Sequence, residues 1–349
     1  MMCTMNSYQL TAYRQPLQSM EVPVRQPGPH EVLVCVHASG LCHSDLPVMD
    51  GIRPAVLPVT LGHECSGRIV KLGAGVTGLA EGGRVSVFYV LPCERCETCK
   101  GGLPNACPNR RSIGLHQDGG FAEYITIPAA NAIPLPDSVS FEVGAIAGCA
   151  VSTAFHAVQL AHIREGETIA VIGLGGVGLY VSELAKLRGA SMVIGVDTNP
   201  QKRRIARRAG VDLFIDASRE PAREAVLCAT ERAGVDVAFE CVGRPETYLM
   251  ALDSLKPGGR ACLVGLCADP VEIRPFPLLL KEIRILFAVN HTREEQRQVL
   301  ELASQGACSL SNSITHRFPL ARIQEGFDLL RTEIGEVGKI VVLNGCESE

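Results

Sequence analysis

The chain has 349 residues, of which 46% are hydrophobic and 20% charged, and its formal net charge is −4. This length accommodates two domains with buried cores, and the absence of a basic run argues against a nucleic-acid partner. The N-terminus has no signal-peptide core and no apolar stretch approaches the ~20 residues of a membrane span, so we expect a cytoplasmic protein without a membrane partner.

The first third of the chain, to about residue 127, contains short β-like runs separated by Gly and Pro, which predicts a compact all-β unit with loops. These runs cover 31–37, 66–72, 84–89 and 122–127. Two candidate metal sites begin within this part of the chain.

Four cysteines lie close together in a polar segment, 92–108, with the pattern C-x₂-C-x₂-C-x₇-C. They are Cys93, Cys96, Cys99 and Cys107. Four thiolates can complete a tetrahedral Zn²⁺ shell without an open position, which is typical of a structural zinc. An iron–sulfur cluster and unpaired thiols are the alternatives. Zinc is favoured because nothing else in the sequence indicates electron transfer.

A second group of candidate ligands is dispersed along the chain. It consists of Cys42 in GLCHSD, His63 and Glu64 in LGHE, and Cys149 in AGCAVST. Three sulfur or nitrogen ligands with an open fourth position would form a catalytic zinc site. Spacing alone does not select these residues, because buried free cysteines are common and a lone histidine is more often a core residue.

From about residue 150 the pattern changes to strands that alternate with helices, which predicts a parallel, doubly wound sheet. The predicted strands are 168–173, 192–197, 213–216, 235–240, 261–265 and 283–288. Pro257-Gly258-Gly259 predicts a turn before the fifth strand.

A glycine-rich turn follows the first of these strands. Within the motif GLGGVG (173–178), the predicted coenzyme contacts are Gly173, Gly175, Gly176, Val177 and Gly178. Its glycines permit the tight turn, the approach of a pyrophosphate to the backbone, and the packing of the helix on the sheet. Asp197 ends the second strand, where a carboxylate accepts hydrogen bonds from both ribose hydroxyls of NAD and repels a 2′-phosphate. The alternative is a carboxylate that merely ends a strand.

After about residue 290 the pattern becomes irregular again. Thr292 and Glu295 predict a capping box for a helix that runs to about Gln305, where Gly306 can end it. A second helix is predicted at 320–331 and a final strand at 339–343. We therefore expect a catalytic domain made of 1–149 and 290–349, a dinucleotide domain at 150–289, and a cleft between them.

Together these features resemble the zinc-dependent alcohol dehydrogenases of the medium-chain dehydrogenase/reductase superfamily, over essentially the whole chain. The matching segments are GLCHSD (40–45), GHE (62–64), the four-cysteine segment, GGFAEY (119–124), CAVST (149–153), GLGGVG with Asp197, and Gly338-Lys339. The resemblance implies a six-stranded Rossmann sheet inserted into a mainly β, GroES-like catalytic domain with a zinc lobe. It also implies two zinc ions per chain, NAD as coenzyme, and a homodimer or homotetramer.

The resemblance assigns roles at the dispersed site. Cys42, His63 and Cys149 correspond to the ligands of the catalytic zinc, and Glu64 to a residue that approaches the metal as ligands exchange. Asp45 corresponds to the carboxylate that orients the histidine. Ser44 corresponds to the hydroxyl that binds the alcohol and begins proton removal.

Further positions are assigned to the coenzyme and the substrate. His43 and Lys339 correspond to pyrophosphate contacts, Thr153 to a neighbour of the nicotinamide, Lys202 to a basic residue near the adenosine ribose, and Leu266 to a coenzyme contact. Pocket positions are Tyr89, Leu115, His116, Leu266 and Asn290. A solvated surface charge is the alternative for His43, Lys202 and Lys339. A place in the core is the alternative for Tyr89.

The implied reaction is reversible hydride transfer from a zinc-bound alcohol to NAD, which gives an aldehyde or a ketone. A polyol or amino-alcohol dehydrogenase is an alternative, although many of those carry Glu at the position of Cys149. A zinc-free enone reductase would lack both the thiolates and Asp197. A non-catalytic zinc- or nucleotide-binding structural protein is an alternative of another class.

The chain departs from the family pattern at Pro47, where many members carry a histidine that ends the proton relay. We expect the relay from Ser44 to end at water or at another group.

Overall fold

The structure, a computed structural model, describes residues 4–345. The N-terminal part consists mainly of strands, as predicted, with short helices between them. Its elements are β1 (Thr4–Leu10), β2 (Gln18–Pro23), β3 (Glu31–Leu41), α1 (Leu46–Met49), β4 (Val59–Thr60), β5 (Glu64–Leu72), β6 (Arg84–Val87), β7 (Val90–Leu91), α2 (Glu97–Lys100), β8 (Arg111–Ser112), β9 (Tyr124–Pro128), β10 (Ala132–Pro134), α3 (Phe141–Ile146) and α4 (Ser152–Ala161).

The middle of the chain forms a six-stranded parallel sheet in the order β13-β12-β11-β14-β15-β16. This is the strand order of a doubly wound dinucleotide fold, so the predicted sheet is confirmed. Its elements are β11 (Thr168–Ile172), α5 (Gly178–Leu187), β12 (Met192–Asp197), α6 (Arg203–Arg208), β13 (Leu213–Asp216), α7 (Ala222–Ala229), β14 (Val235–Glu240), α8 (Pro245–Asp253), β15 (Leu255–Leu263), α9 (Pro275–Leu280) and β16 (Arg284–Phe287).

The fifth strand differs from the prediction. β15 begins at Leu255, so Pro257-Gly258-Gly259 lies within the strand rather than before it. Gly258 has φ +75°, and the register against β14 shifts between Val235 and Val237. The predicted turn is therefore a local irregularity inside a strand, which the glycine's conformational freedom permits.

The C-terminal segment returns to the N-terminal sheet, as the predicted architecture requires. It contains α10 (Arg293–Ser304), β17 (Ile314–Pro319), α11 (Ile323–Thr332) and β18 (Lys339–Leu343). β18 pairs antiparallel with β3, with Ile340 opposite Leu41, and this pairing extends the sheet β10-β6-β5-β3-β18-β17, to which β9 is added at β3. Two smaller sheets have the orders β2-β1-β4 and β7-β8.

One helical segment contradicts the expectation that no apolar stretch approaches the length of a membrane span. Phe141–Ala161 is 21 residues long, and an 18-residue window within it has a mean hydropathy of 1.5, which meets the length and composition of a membrane span. However, 83% of that window is buried inside the protein. The segment is apolar because it crosses the core. It also runs through the predicted boundary at 149/150, and the domain boundaries stay predictions.

The glycine turn lies between β11 and α5. Gly173 has φ +89°, which favours glycine, and a Cβ on Gly178 would overlap the carbonyl oxygen of Gly173. A Cβ on Gly175, in contrast, would meet nothing within 4 Å. Gly178 is therefore required by packing, whereas the fold places no such demand on Gly175.

This contrast gives a matched prediction. Gly178→Ala should lower the free energy of unfolding by about 1–3 kcal/mol, because the added methyl group forces the turn away from α5. Gly175→Ala should change it by less than about 0.5 kcal/mol and should instead weaken coenzyme binding. Urea unfolding and NADH titration of both variants measure the two effects. Equal losses of stability in the two variants would contradict the packing argument.

Candidate active site

The antiparallel pairing of β3 and β5 brings the first candidate ligands together. Gly40 lies opposite Glu64, so the end of β3 and the start of β5 meet at one edge of the sheet. Cys42 follows β3 directly, and His63 precedes β5. Residues that are about 20 positions apart in sequence thus emerge side by side.

Cys149 reaches the same place from the long helical segment. It lies in a π-helical turn, Ala147–Val151, and π-turns occur often at functional sites. A Cβ on Gly148 would lie 2.8 Å from the carbonyl oxygen of Val87, at the end of β6. The glycine therefore lets this helix approach the sheet closely enough for Cys149 to join the other ligands.

The four dispersed candidates form one cluster. The ligand atoms of Cys42, His63, Glu64 and Cys149 all lie within 4.8 Å of one another, and the last three residues are buried. Glu64 Oε2 is buried without a hydrogen-bond partner among the described residues, a costly state for a carboxylate that a cation would relieve. Two thiols, an imidazole and a carboxylate are a donor set that suits zinc.

Asp45 connects two of these ligands. Its Oδ1 lies 3.1 Å from His63 Nδ1, and its Oδ2 accepts a 3.2 Å hydrogen bond from the backbone N–H of Cys42. A carboxylate at Nδ1 favours the tautomer that leaves Nε2 free to bind a metal. Ser44 Oγ lies 3.4 Å from that Nε2 and 3.2 Å from Cys42 Sγ, so its hydroxyl faces the cluster.

Lys339 and Glu64 form a buried ion pair beside the cluster. Lys339 Nζ lies 2.6 Å from Glu64 Oε1 and donates a 2.8 Å hydrogen bond to the carbonyl of Leu41. Burial acts to lower the pKa of the Lys339 ammonium, but the negative charges of Glu64, Cys42 and Cys149 together raise it. Lys339 also adjoins the glycine turn, because a Cβ on Gly176 would lie 3.5 Å from Lys339 Cδ. A solvated surface charge is thus the wrong interpretation of Lys339.

The four-cysteine segment forms a second cluster, whose sulfur atoms also lie within 4.8 Å of one another. Cys96 Sγ is 3.5 Å from Cys99 Sγ and 3.8 Å from Cys107 Sγ. A tetrahedral ion with Zn–S bonds of 2.3 Å separates its sulfurs by about 3.8 Å. A cluster of several irons would spread four thiolates farther apart. The spacing therefore fits a single zinc ion.

The residues predicted to face the adenosine ribose form a charged network. Asp197 Oδ2 accepts from the backbone N–H of Leu174 at 2.8 Å and lies 3.3 Å from Lys202 Nζ. Lys202 is buried, so the surface-charge alternative is wrong for this residue as well, whereas the side chain of His43 is 49% exposed.

Glu333, which the sequence analysis did not identify, bridges His43 and Lys202 at 3.0 Å each. The His43 hydrogen bond, with help from Lys202, lowers the pKa of Glu333 to about 2 against the effect of its burial. No motif marks this residue, because its partners lie more than a hundred positions away.

Tyr89 and Asn290 meet beside the cluster of candidate zinc ligands. Tyr89 donates a 2.6 Å hydrogen bond to Asn290 Oδ1, and its ring lies 5.0 Å from the His63 ring. Asn290 Nδ2 donates to the carbonyl of Asn105 in the four-cysteine segment, which fixes the orientation of the amide. Tyr89 also packs on the core, as the alternative interpretation predicts, and its place in a substrate pocket stays a prediction. Asn290 has φ +53°, a conformation that is uncommon outside glycine.

The remaining predicted positions differ in their surroundings. The hydroxyl of Thr153 is buried without a partner among the described residues, which leaves it available to a ligand. Leu115 is packed in a hydrophobic cluster, the His116 ring accepts the backbone N–H of Ser112, and the side chain of Leu266 is exposed. Pro47 lies in α1. The end of the proton relay from Ser44 at water or at another group stays a prediction.

Two protein-family models match the chain: an alcohol dehydrogenase GroES-like domain over residues 28–137, and a zinc-binding dehydrogenase over residues 176–305. An L-threonine 3-dehydrogenase of Rhizobium etli is 31% identical over 92% of this chain and 93% of its own. A sorbitol dehydrogenase of Halalkalibacterium halodurans is 31% identical over 92% and 94%. The crystal structure of a zinc-binding dehydrogenase from Sinorhizobium meliloti bound to NADP has a TM-score of 0.91 and 33% identity, over 98% of this chain and 99% of that one.

A buried histidine behind Tyr89 gives a prediction about pH. His291 is completely buried; its Nε2 lies 3.2 Å from Gln296 Oε1, and burial lowers its pKa from 6.5 to about 4. The His291 imidazole therefore binds a proton more tightly in the unfolded chain than in the folded protein. The stability that is present above pH 6.5 is lost as the pH falls toward 4. Between pH 7 and pH 5 the wild type should lose about 2 kcal/mol more than His291→Asn.

Urea unfolding at the two pH values measures this difference. His162→Asn is the matched control, since His162 is exposed and Asn tolerates its left-handed backbone. The control should keep the pH dependence of the wild type. An unchanged pH dependence in His291→Asn would contradict the assignment.

Proposed function

The chain belongs to the zinc-binding alcohol dehydrogenases of the medium-chain superfamily, oxidoreductases that act on CH–OH groups with a nicotinamide coenzyme. From this premise we propose that it is an NAD-linked zinc alcohol dehydrogenase that interconverts an alcohol with an aldehyde or a ketone. The observation that carries the proposal is the Ser44 hydroxyl, which faces both Cys42 and His63 within the cluster of ligands.

Cys42, His63 and Cys149 would hold the catalytic zinc, with Glu64 as an additional ligand, and the four-cysteine segment would hold the structural zinc. When bound, zinc supplies Lewis acidity that lowers the pKa of an alcohol, and the nicotinamide supplies the hydride acceptor.

The residues around the cluster would transfer the proton of the substrate hydroxyl and hold the zinc ligands in position. Ser44 Oγ takes up the proton of the substrate hydroxyl and passes its own proton toward the coenzyme side and water. Asp45 keeps His63 in one tautomer and one orientation. Pairing with Glu64 holds the Lys339 ammonium between the glycine turn and the cluster.

A polyol or amino-alcohol substrate is the second candidate, and two observations favour it. The relatives include enzymes named for threonine and sorbitol. Tyr89 donates its proton to Asn290, so the phenol oxygen can still accept a hydrogen bond from a second hydroxyl or an amine of the substrate. A purely structural role is disfavoured, because both sets of ligands and Ser44 are present.

Metal content together with activity tests the main proposal. The wild type should bind two zinc ions per chain and reduce NAD⁺ with at least one alcohol of a panel of primary, secondary, cyclic and polyhydroxy compounds. Cys42→Ala should bind one zinc and lose at least about 1,000-fold in kcat/KM, because the Lewis acid is lost. Cys262→Ala, a buried cysteine outside both clusters, should keep both properties. Two zinc ions without turnover of any alcohol would favour the structural alternative.

Removal of the Tyr89 hydroxyl distinguishes the two substrate classes. If Tyr89 receives a polar group of the substrate, Tyr89→Phe should lower kcat/KM for sorbitol or threonine about tenfold, the effect of one lost hydrogen bond in a buried site. The value for 2-butanol, which has no second polar group, should remain within about twofold. An equal effect on both classes would remove the support for the second candidate.

A further inference from the structure

We propose that Glu333 is a second specificity residue for the coenzyme, which acts together with Asp197 to reject a 2′-phosphate on the adenosine ribose. This inference rests on the proposed coenzyme site. It goes beyond that site because Glu333 belongs to no coenzyme-binding motif and lies in the C-terminal part of the chain.

The position of Glu333 is fixed by its backbone. It directly follows α11 and has φ +47°, in the left-handed region. Asn199 Nδ2 donates to the carbonyl of Glu333 at 2.8 Å and to that of Gly335 at 3.0 Å, while Asn199 N–H donates to Asp197 Oδ1 at 2.9 Å. The loop after α11 is therefore attached to the end of β12, beside the carboxylate that is predicted to bind the ribose.

The side chain of Glu333 contacts both basic residues on this side of the site. Oε2 lies 3.0 Å from Lys202 Nζ, and Oε1 lies 3.0 Å from His43 Nε2. Lys202 thus faces two carboxylates, since Asp197 Oδ2 is 3.3 Å away. A buried lysine beside the ribose would ordinarily attract a 2′-phosphate, but here its charge is already balanced and one carboxylate remains in excess.

NAD and a coenzyme with a 2′-phosphate would interact differently with these two carboxylates. The ribose hydroxyls of NAD are neutral donors that suit carboxylate acceptors. A 2′-phosphate adds close to two negative charges and no donor at pH 7, and it meets two carboxylates. The side chain of Glu333 is 36% exposed, so the field is partly screened but still reaches a ligand that binds at Lys202. Removal of Glu333 would weaken the repulsion and release Lys202.

A role in holding the loop is the competing explanation, and Glu333→Gln separates the two. Glutamine keeps the length and hydrogen-bonding capacity of the side chain, and the hydrogen bonds from Asn199 to the backbone remain. A loss of loop anchoring would weaken both coenzymes equally. A loss of charge would selectively improve the coenzyme that carries the 2′-phosphate.

The experiment uses the full-length, zinc-loaded protein and two probes, ADP-ribose and 2′-phospho-ADP-ribose, whose dissociation constants are measured by isothermal titration calorimetry. The wild type should bind ADP-ribose more tightly. In Glu333→Gln the ratio of the two dissociation constants should shift toward the phosphorylated probe by roughly fivefold or more, and the shift should shrink in 0.5 M salt. Glu333→Asp, which keeps the charge, should stay close to the wild type.

Glu325→Gln is the matched control, because it also removes one negative charge, from the helix α11 that precedes Glu333, but breaks a pair with Arg322 instead of Lys202. In Glu325→Gln the ratio of the two dissociation constants should not change. An unchanged ratio in Glu333→Gln, equal weakening of both probes, or an equal shift in Glu325→Gln would overturn the inference. Because no alcohol is needed, a shifted ratio in a protein that oxidises no alcohol would uphold the inference while the proposed function fails.

Discussion

The arrangement of the whole site depends on one buried ion pair, between Lys339 and Glu64. Both side chains are at most 3% exposed, and the ammonium also binds the carbonyl of Leu41. Transfer of two charges out of water costs several kcal/mol each, which good geometry and additional hydrogen bonds must offset. Loss of one partner would leave the other buried without compensation. The pair therefore requires β18, β3 and β5 to meet in a single arrangement.

This constraint connects segments that are almost 300 positions apart in sequence. β18 completes the N-terminal sheet, and its first residue brings a positive charge to the glycine turn of the parallel sheet and to the edge where the candidate zinc ligands converge. A second network joins Lys202 to the carboxylates of Asp197 and Glu333. In both networks a buried lysine is held by carboxylates, so the electrostatics of the site are set before any ligand binds.

The sequence predicted features whose determinants are local. The six parallel strands, the capping box of Thr292 and Glu295, and the close spacing of the four cysteines depend on residues near one another along the chain, and each is present in the structure. β1 and β2 were missed because few of their residues are buried, two in β1 and none in β2, so their hydrophobic alternation is weak. The turn at Gly258 was misplaced because Gly and Pro also mark irregularities within strands.

The candidate site could be predicted only in part, because most of its contacts join residues that are distant in sequence. Cys42, His63 and Cys149 were found through a family resemblance, since nothing in their spacing shows that a strand edge and a π-helical turn converge. The burial of Lys202 and Lys339 could not be foreseen, because their carboxylate partners come from distant segments. Glu333 carries no local signal at all. Long-range pairing, rather than composition, decides which charged residues form the site.

The chain should hold zinc in two environments, one with four sulfur ligands and one with two sulfurs, an imidazole and a fourth nitrogen or oxygen ligand. X-ray absorption at the zinc edge measures this directly in the fully loaded protein. The expected result is an average of three sulfur ligands per zinc at two zinc ions per chain. One zinc per chain with four sulfur ligands would contradict the account, because the cluster around Cys42, His63 and Cys149 would then hold no metal.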